Sequence, residues 1–180
     1  YTAETLEVKK KCKASLQRVF GLKQRANIPI FAMSARLTYQ KGLELILGYN
    51  DYFALDGQFL FLGAGDPRYM EELTELAGRA PGRIACEFNF TDRLEHRLMA
   101  GADMCLMPSQ YEPCGLTQMR AQRYGTIPVA RRVGGLADTI EDGVTGFLFD
   151  DFTPADAATS VKVPSPSLRY NEFGLPTLVT

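Results

Sequence analysis

One segment of the chain, residues 102–125, combines the residue types of a ligand-binding site. It reads ADMCLMPSQYEPCGLTQMRAQRYG. The apolar run from Met104 to Met107 predicts a buried strand, and the proline and polar residues after it predict that the chain leaves the sheet there. Glu112 would then lie just outside the carboxyl end of the strand, where open α/β sheets bind their ligands. A helix beginning near Gly115 would offer free backbone amides to an anion.

Two cations follow the first predicted strand and could bind a phosphate group. Arg36 and Lys41 lie in the loop SARLTYQKG, next to a helix that we expect to begin at Gly42. Positive side chains at the carboxyl end of a strand, beside a helix N-terminus, can clamp a phosphate. Two solvated surface charges are the alternative interpretation, since most charged residues are exposed.

A glycine pair follows the second predicted strand and resembles the start of a dinucleotide-binding pattern. In FLGAGDPRY, residues 61–69, Gly63 and Gly65 form a G-x-G sequence. Arg68 occupies the position of the third glycine and Pro67 interrupts the turn, so close packing of the NAD-binding type is not supported. We interpret the segment as a tight strand-to-helix turn beside a nucleotide, and an NAD-dependent oxidoreductase is disfavoured.

Three further features each allow two interpretations from the residues alone. Phe90 could stack on a base, but a core position is commoner for a large apolar side chain. Cys114 could be a reactive thiol at a helix N-terminus, but no histidine partner is visible and a packed small side chain is favoured. Gly134 and Gly135 permit a close backbone approach to a ligand at a second helix start, and an ordinary glycine turn is the alternative.

Strands and helices alternate along the chain, and this order predicts how these groups come together. Predicted strands cover residues 28–33, 58–62, 83–88, 104–107, 127–130 and 147–149. Predicted helices cover residues 1–20, 42–54, 68–77 and 92–100, a segment after Cys114 and a short segment near Leu136. Parallel neighbouring strands need crossover helices, so the alternation predicts an α/β, doubly wound, Rossmann-like and mostly parallel sheet of about six strands.

The domain boundaries follow from changes in composition. A single domain is predicted over residues 1–150, with a leading helix and linker over residues 1–27. From Asp151 the chain gains prolines and loses apolar periodicity, which predicts an irregular tail over residues 151–180. The first residues lack a signal-peptide layout and begin as if in mid-helix, so we expect Tyr1 to be the edge of a fragment.

Composition narrows the classes of partner. The chain has 180 residues, of which 46% are hydrophobic, and its formal charge is −1. The overall charge therefore does not favour binding to nucleic acid or to an anionic membrane. No apolar run reaches the roughly 18 residues of a membrane span. Four cysteines without a C-x-x-C pair are typical of a reducing compartment, and a single histidine, His96, argues against a zinc site.

Five segments taken together resemble the bacterial glycogen synthase and starch synthase family. They are SARLTYQKG at 34–42, GAGDP at 63–67, PSQYEPCGLTQ at 108–118, YGTIPVARRVGGLADT at 124–139 and GVTGFLF at 143–149. The resemblance implies the carboxyl-terminal, nucleotide-sugar-binding half of a GT-B glycosyltransferase of family 5. Such an enzyme is retaining and metal-independent, needs no cofactor, and transfers glucose from ADP-glucose to the non-reducing end of an α-1,4-glucan. A cytoplasmic location is implied, or a plastid for a plant or alga.

The resemblance also implies roles for individual residues. Arg36 and Lys41 match the family's diphosphate-binding cations, and Glu112 matches the carboxylate that engages the donor glucose; these three are the predicted catalytic residues. Phe90 aligns with an aromatic position that packs on the adenine. The predicted nucleotide-sugar-binding residues are Gly63, Gly65, Phe90, Ser109, Cys114, Gly115, Leu116, Thr117 and Gln118. No metal-binding residue is predicted.

The sequence departs from the pattern of its relatives at two points. Related GT-B families carry a second glutamate eight positions after the first, where this chain has Arg120, so a carboxylate contact to the ribose is in doubt. The amino-terminal GT-B domain, which supplies a catalytic histidine and much of the acceptor groove, has no counterpart in these residues. We therefore expect a domain that binds ADP or ADP-glucose but does not elongate glucan alone. A non-catalytic nucleotide-sugar-binding module is the alternative.

Overall fold

A single parallel sheet organises the protein. The computed structural model describes residues 1–48, 53, 55–153, 169, 170, 176 and 177. The strands of the sheet are β1 (Ile30–Ser34), β2 (Gln58–Leu62), β3 (Ile84–Glu87), β4 (Met104–Met107), β5 (Ile127–Arg131) and β6 (Phe147–Phe149). Their order is β3-β2-β1-β4-β5-β6 and every neighbouring pair is parallel. The predicted doubly wound, mostly parallel sheet of about six strands is confirmed.

Helices cover both faces of this sheet. They are α1 (Lys9–Val19), α2 (Leu43–Leu47), α3 (Pro67–Arg79), α4 (Asp92–Gly101), α5 (Thr117–Arg123) and α6 (Gly134–Thr139). Successive residues of a strand point to opposite faces, so β1 contributes Phe31 and Met33 to one hydrophobic cluster and Ile30 and Ala32 to another. The first cluster includes residues of α2 and α3, and the second includes residues of α1, α4, α5 and α6.

Side-chain caps fix where two of the helices begin. The Asp66 carboxylate accepts from the backbone N–H of Arg68 at 2.9 Å, and Pro67 occupies the first position of α3. The Thr91 hydroxyl accepts from the backbone N–H of Leu94 at 3.2 Å at the start of α4. Each cap satisfies an amide that the helix leaves unpaired. Both turns therefore hold the chain at the carboxyl ends of β2 and β3.

Several element boundaries differ from those predicted. The first strand begins at Ile30 rather than residue 28, because Pro29 has no N–H to donate. A 3-10 turn, Ala3–Val8, precedes α1, and another, Tyr39–Lys41, precedes α2. Residues 49–52 and 54 of the predicted 42–54 helix lie outside the described residues, and α2 ends at Leu47.

Most of the predicted irregular tail also lies outside the described residues. Within it, the structure describes a short antiparallel pair, β7 (Arg169–Tyr170) with β8 (Pro176–Thr177). The assignment of residues 151–180 as a tail stays a prediction. None of the helices in the described ranges has the length and apolar character needed to cross a bilayer.

The amino ends of the strands carry a buried polar network. Asp103, directly before β4, accepts from the backbone N–H of Ile30 at 2.7 Å and pairs with Lys13 at 2.7 Å. Lys9 donates to the carbonyl oxygens of Met99, Ala100 and Tyr124, each at 3.1 Å. Burial lowers the pKa of Lys9 to about 7, although the nearby Asp103 carboxylate favours the charged form. This network ties α1 to the ends of α4 and α5.

Candidate active site

A cavity of about 460 Å³ opens at the carboxyl ends of β1, β2 and β4. Its walls combine the apolar ends of these strands with two cations, one carboxylate and one aromatic ring. The lining residues are Met33, Ser34, Ala35, Arg36, Lys41, Gly63, Ala64, Phe90, Glu95, Leu106, Met107, Ser109 and Thr117. The cavity therefore lies at the sheet edge where parallel α/β sheets bind ligands.

An ion pair joins the two loops that the sequence singled out. The Lys41 ammonium donates to Glu112 Oε2, and the Ser109 hydroxyl donates to the same oxygen at 3.3 Å. The Lys41 side chain is 18% exposed and that of Glu112 is 11% exposed. Glu112 is therefore not a solvent-facing loop acid, and Lys41 is not a solvated surface charge. Both hold a defined position beside the cavity.

The loop that carries Glu112 is held against the β1 loop by backbone contacts. The backbone N–H of Gln110 donates to the carbonyl oxygen of Gln40 at 2.8 Å, and the Gln40 amide donates to that of Tyr111 at 3.2 Å. Gly42 has φ +76°, and a Cβ there would clash with the carbonyl oxygen of Pro108. Only glycine permits this approach without strain. The two loops are thereby fixed relative to each other.

The two glycines that begin α6, Gly134 and Gly135, hold the same loop from its other side. The backbone N–H of Gly135 donates to the carbonyl oxygen of Glu112 at 2.9 Å, and a Cβ on Gly135 would clash with the carbonyl oxygen of Cys114. Arg131 adds a hydrogen bond from its guanidinium to the carbonyl oxygen of Gln110 at 2.8 Å. These glycines were expected to permit a close backbone approach, and in the structure the backbone of the Glu112 loop makes that approach.

Gln118 acts as an internal support for the start of α5. It is fully buried, and its amide donates to the carbonyl oxygens of Cys114 at 3.2 Å and Gly115 at 2.9 Å and to the Thr139 hydroxyl at 3.0 Å. Cys114 itself is exposed. The expectation of a packed Cys114 side chain is wrong.

The predicted site residues fall into two groups. Those that line the cavity are Arg36, Lys41, Gly63, Phe90, Ser109 and Thr117. Glu112 lies beside the cavity through its contacts with Lys41 and Ser109. Those not among the lining residues are Gly65, Cys114, Gly115, Leu116 and Gln118, and their contacts with a nucleotide sugar stay predictions. Phe90 is 48% exposed, so the alternative that it is a core residue is wrong.

Comparison with known proteins decides the family. The family described as Glycosyl transferases group 1 matches residues 19–162. The chain belongs to this family. It is 53% identical over 126 residues to a glycogen synthase of Pseudomonas syringae pv. syringae (strain B728a), a match that covers 69% of this chain and 26% of that relative. The resemblance to glycogen and starch synthases is confirmed.

Two solved structures extend the similarity to the fold of this chain. The catalytic domain of starch synthase IV from Arabidopsis thaliana, bound to ADP and acarbose, has a TM-score of 0.83 and 30% identity, over 90% of this chain and 36% of that one. Anabaena Alr3699/HepE, in complex with UDP-glucose, has a TM-score of 0.67 and 25% identity, over 83% of this chain and 41% of that one. The chain therefore spans between about a quarter and two fifths of these relatives' length.

Two polar residues that line the first cavity were not identified from the sequence. Ser34 ends β1, and Glu95 lies in the first turn of α4. One signal for Glu95 was available, because Leu98 and Met99 follow it at the spacing of one helix face and are both buried. A carboxylate on the apolar face of a helix requires a partner or a ligand.

A second, larger cavity of about 700 Å³ lies beside the first. It is lined by Tyr1, His96, Leu116, Met119, Arg120, Arg123 and Tyr124. Arg120, which lines the second cavity, pairs with Glu95, which lines the first, so this ion pair lies between the two cavities. Across the described part of the chain, no group of three or more acidic, histidine or cysteine side chains is arranged to hold a metal ion.

Proposed function

We propose that this chain is the donor-binding part of a glucosyltransferase. It would bind ADP-glucose and place the glucose for transfer to the non-reducing end of an α-1,4-glucan, with retention of configuration and without a metal ion. The observation that carries the proposal is the cavity at the carboxyl ends of β1, β2 and β4. Arg36, Lys41 and Phe90 line this cavity, and the Glu112 carboxylate lies beside it, paired with Lys41.

The two cations suit a diphosphate. The Lys41 ammonium has three N–H donors, and its contact with Glu112 uses one of them. The Arg36 side chain is exposed on the same cavity and presents a planar fork of donors. Negative charge grows on the diphosphate as its bond to glucose breaks, and fixed positive charges that are already in place stabilise it. These residues would do so without a metal ion.

Glu112 suits the orientation of a sugar. Its carboxylate is held by Lys41 and Ser109, and it retains lone pairs for a hydroxyl donor. In the proposed reaction the bond between glucose C1 and the diphosphate oxygen breaks, and its electron pair stays with the diphosphate. The acceptor hydroxyl forms the new C1–O bond on the same face, and its proton passes to a phosphate oxygen. Glu112 orients the glucose and forms no covalent bond to it.

Adenine is the base that we propose. Phe90 offers an exposed ring at the cavity wall, against which a base can stack. The starch synthase solved with ADP has a higher TM-score and identity to this chain than the protein solved with UDP-glucose. This ranking favours ADP-glucose over UDP-glucose as the donor.

Glucan elongation is proposed to need more than these residues. The chain covers only 26% to 41% of the length of the relatives to which it is similar. We propose that an amino-terminal GT-B domain completes the acceptor site. The purified 180-residue chain, incubated with ADP-glucose and glycogen, should then release no ADP above background. Turnover near the rate of a full-length glycogen synthase would contradict this dependence.

Calorimetric titration tests the donor assignment. The chain is titrated separately with ADP, ADP-glucose, UDP-glucose and NAD. We expect ADP and ADP-glucose to bind, UDP-glucose to bind more weakly, and NAD to give no saturable heat. Binding of NAD with no response to ADP would overturn the proposed function in favour of a dinucleotide site.

A further inference from the structure

Glu95 is a buried carboxylate that lines the donor cavity and has no role in the function proposed above. It is 4% exposed and lies in the first turn of α4, the helix that begins directly after the Phe90 loop. Burying a carboxylate is costly unless the charge is compensated. Its position on the cavity wall, rather than on the protein surface, makes it available to a ligand.

Two side chains compensate and orient this carboxylate. The Ser34 hydroxyl donates to Oε1 at 3.2 Å, and the Arg120 guanidinium donates to Oε2. Arginine stays protonated in proteins, so a permanent positive charge lies beside Glu95. A carboxylate offers about four acceptor directions, and these two contacts occupy two of them. Lone pairs therefore remain for a hydroxyl donor in the cavity.

The connections of Glu95 place it between the two ends of the proposed ligand. Along the chain it follows Phe90, the proposed base contact, by five residues. Through its hydrogen bond to Ser34 it is joined to β1, two residues before Arg36, a proposed diphosphate contact. In a nucleoside diphosphate the ribose lies between the base and the phosphates, and its hydroxyls are hydrogen-bond donors.

We propose that Glu95 accepts hydrogen bonds from the ribose hydroxyls of the bound nucleotide. This inference rests on the proposed function, because it assumes that the cavity takes a nucleoside diphosphate. Arg120 and Ser34 are positioning residues that hold the carboxylate in place and do not contact the ribose themselves. The ribose contact is thereby supplied by α4, from a carboxylate that α5 orients.

Nucleotide analogues that lack one hydroxyl test this assignment. ADP, 2′-deoxy-ADP and 3′-deoxy-ADP are titrated by calorimetry into the wild-type chain and into the variant Glu95→Gln. In the wild type, at least one deoxy analogue should bind about tenfold more weakly than ADP, as expected for loss of a hydrogen bond to a charged group. In Glu95→Gln, which keeps an amide oxygen as acceptor but loses the charge, that penalty should shrink to about threefold.

Matched variants separate a ribose contact from a structural role. Glu75→Gln removes an exposed carboxylate of α3 that pairs with Arg79, and it should keep the full deoxy penalty. The double variant Glu95→Leu with Arg120→Leu removes both charges, so it leaves no uncompensated arginine if the single variant fails to fold. It should also bind ADP and the deoxy analogues with nearly equal affinity.

The outcomes distinguish this inference from the function on which it rests. If ADP binds the wild type but the deoxy analogues bind equally well, Glu95 makes no ribose contact and the inference is wrong. The inference is also wrong if the deoxy penalty is undiminished in Glu95→Gln or persists in the double variant. If ADP does not bind the wild type at all, the proposed function itself fails.

Discussion

The amino and carboxyl ends of the same parallel strands carry similar charged side chains in different settings. At the amino ends, Asp103 joins Lys13 to the first amide of β1, and Lys9 donates to three carbonyl oxygens. At the carboxyl ends, Lys41 pairs with Glu112 beside a cavity, and Arg36 is exposed to it.

The difference indicates a division of labour between the two edges. Charges at the amino edge are used within the protein, where they join α1 to β1 and to the ends of α4 and α5. Charges at the carboxyl edge retain donors and acceptors that point toward a cavity. We therefore expect substitutions at the amino edge to change stability without changing ligand affinity, and substitutions at the carboxyl edge to do the reverse.

The largest effect is expected from Asp103→Ala. This change leaves the buried amide of Ile30 without its acceptor and the ammonium of Lys13 without its partner. Loss of one member of a buried pair costs about 3 to 5 kcal/mol, and partial exposure of Asp103 places the expected loss near the lower figure, about 3 kcal/mol. Urea denaturation measures the change in the free energy of unfolding.

An exposed pair provides the control for that substitution. Asp56→Ala removes the carboxylate that lies 3.7 Å from Arg25, where both side chains are largely exposed. The free energy of unfolding should fall by less than about 1 kcal/mol. Equal losses of unfolding free energy in the two variants would contradict a special role of the amino edge in stability. A loss of ADP affinity in folded Asp103→Ala would contradict the separation of the two edges.

Lys41→Ala should produce the next largest effect, on binding. Removing a charge-assisted contact to a phosphate should weaken ADP binding by about 1.5 to 3 kcal/mol, or about 10- to 150-fold. Calorimetry measures this loss. Lys10→Ala, which removes an exposed lysine of α1, is the control and should leave ADP affinity unchanged. An unchanged ADP affinity in Lys41→Ala would show that Lys41 pairs with Glu112 and does not contact the phosphate.

Stability at the amino edge should depend on pH. Burial lowers the pKa of Lys9 to about 7, whereas an unfolded lysine keeps a pKa near 10.4. Between these values the unfolded state binds the extra proton, so the free energy of unfolding should rise as pH increases from 7 to 9, by about 2 kcal/mol. Denaturation at several pH values measures the slope, and Lys9→Met should remove this contribution. An identical slope in that variant would show that Lys9 stays charged.

The smallest effect is expected from Phe90→Ala. Loss of a base-stacking surface should weaken ADP binding by about 1 kcal/mol, the lower end of the range for base–aromatic stacking. Because the ring is half exposed, the free energy of unfolding should change little. Phe90→Tyr is the control and should bind ADP nearly as well as the wild type. A large loss of unfolding free energy with unchanged ADP affinity would show that the role of Phe90 is structural.

Much of the fold was predictable because local signals and the required topology agree. The strand at Met104–Met107 and that at Gln58–Leu62 are short apolar runs bounded by turn residues, and both were predicted to the residue. The first strand was predicted two residues early, because Ile28 extends the apolar run, although its N–H donates to the carbonyl oxygen of Arg25 in a turn and Pro29 has no N–H. Apolar periodicity reports burial, and it does not report which amides are free to pair.

The site residues that directly follow strands could be predicted from the sequence. The contact between residues on two neighbouring helices could not. Arg36, Lys41 and Glu112 follow β1 and β4, which are neighbours in the sheet, so their proximity follows from parallel pairing. Glu95 and Arg120 lie on α4 and α5, and their contact depends on how two helices pack on one face. Residue spacing along the sequence carries no information on that packing.

A crystal structure of the chain with ADP tests the central claim most directly. We expect the diphosphate within hydrogen-bond distance of the Lys41 ammonium and the Arg36 guanidinium, and the adenine against the ring of Phe90, in the cavity at the carboxyl ends of β1, β2 and β4. ADP bound instead in the second cavity, beside His96 and Met119, with the first cavity unaltered, would contradict it.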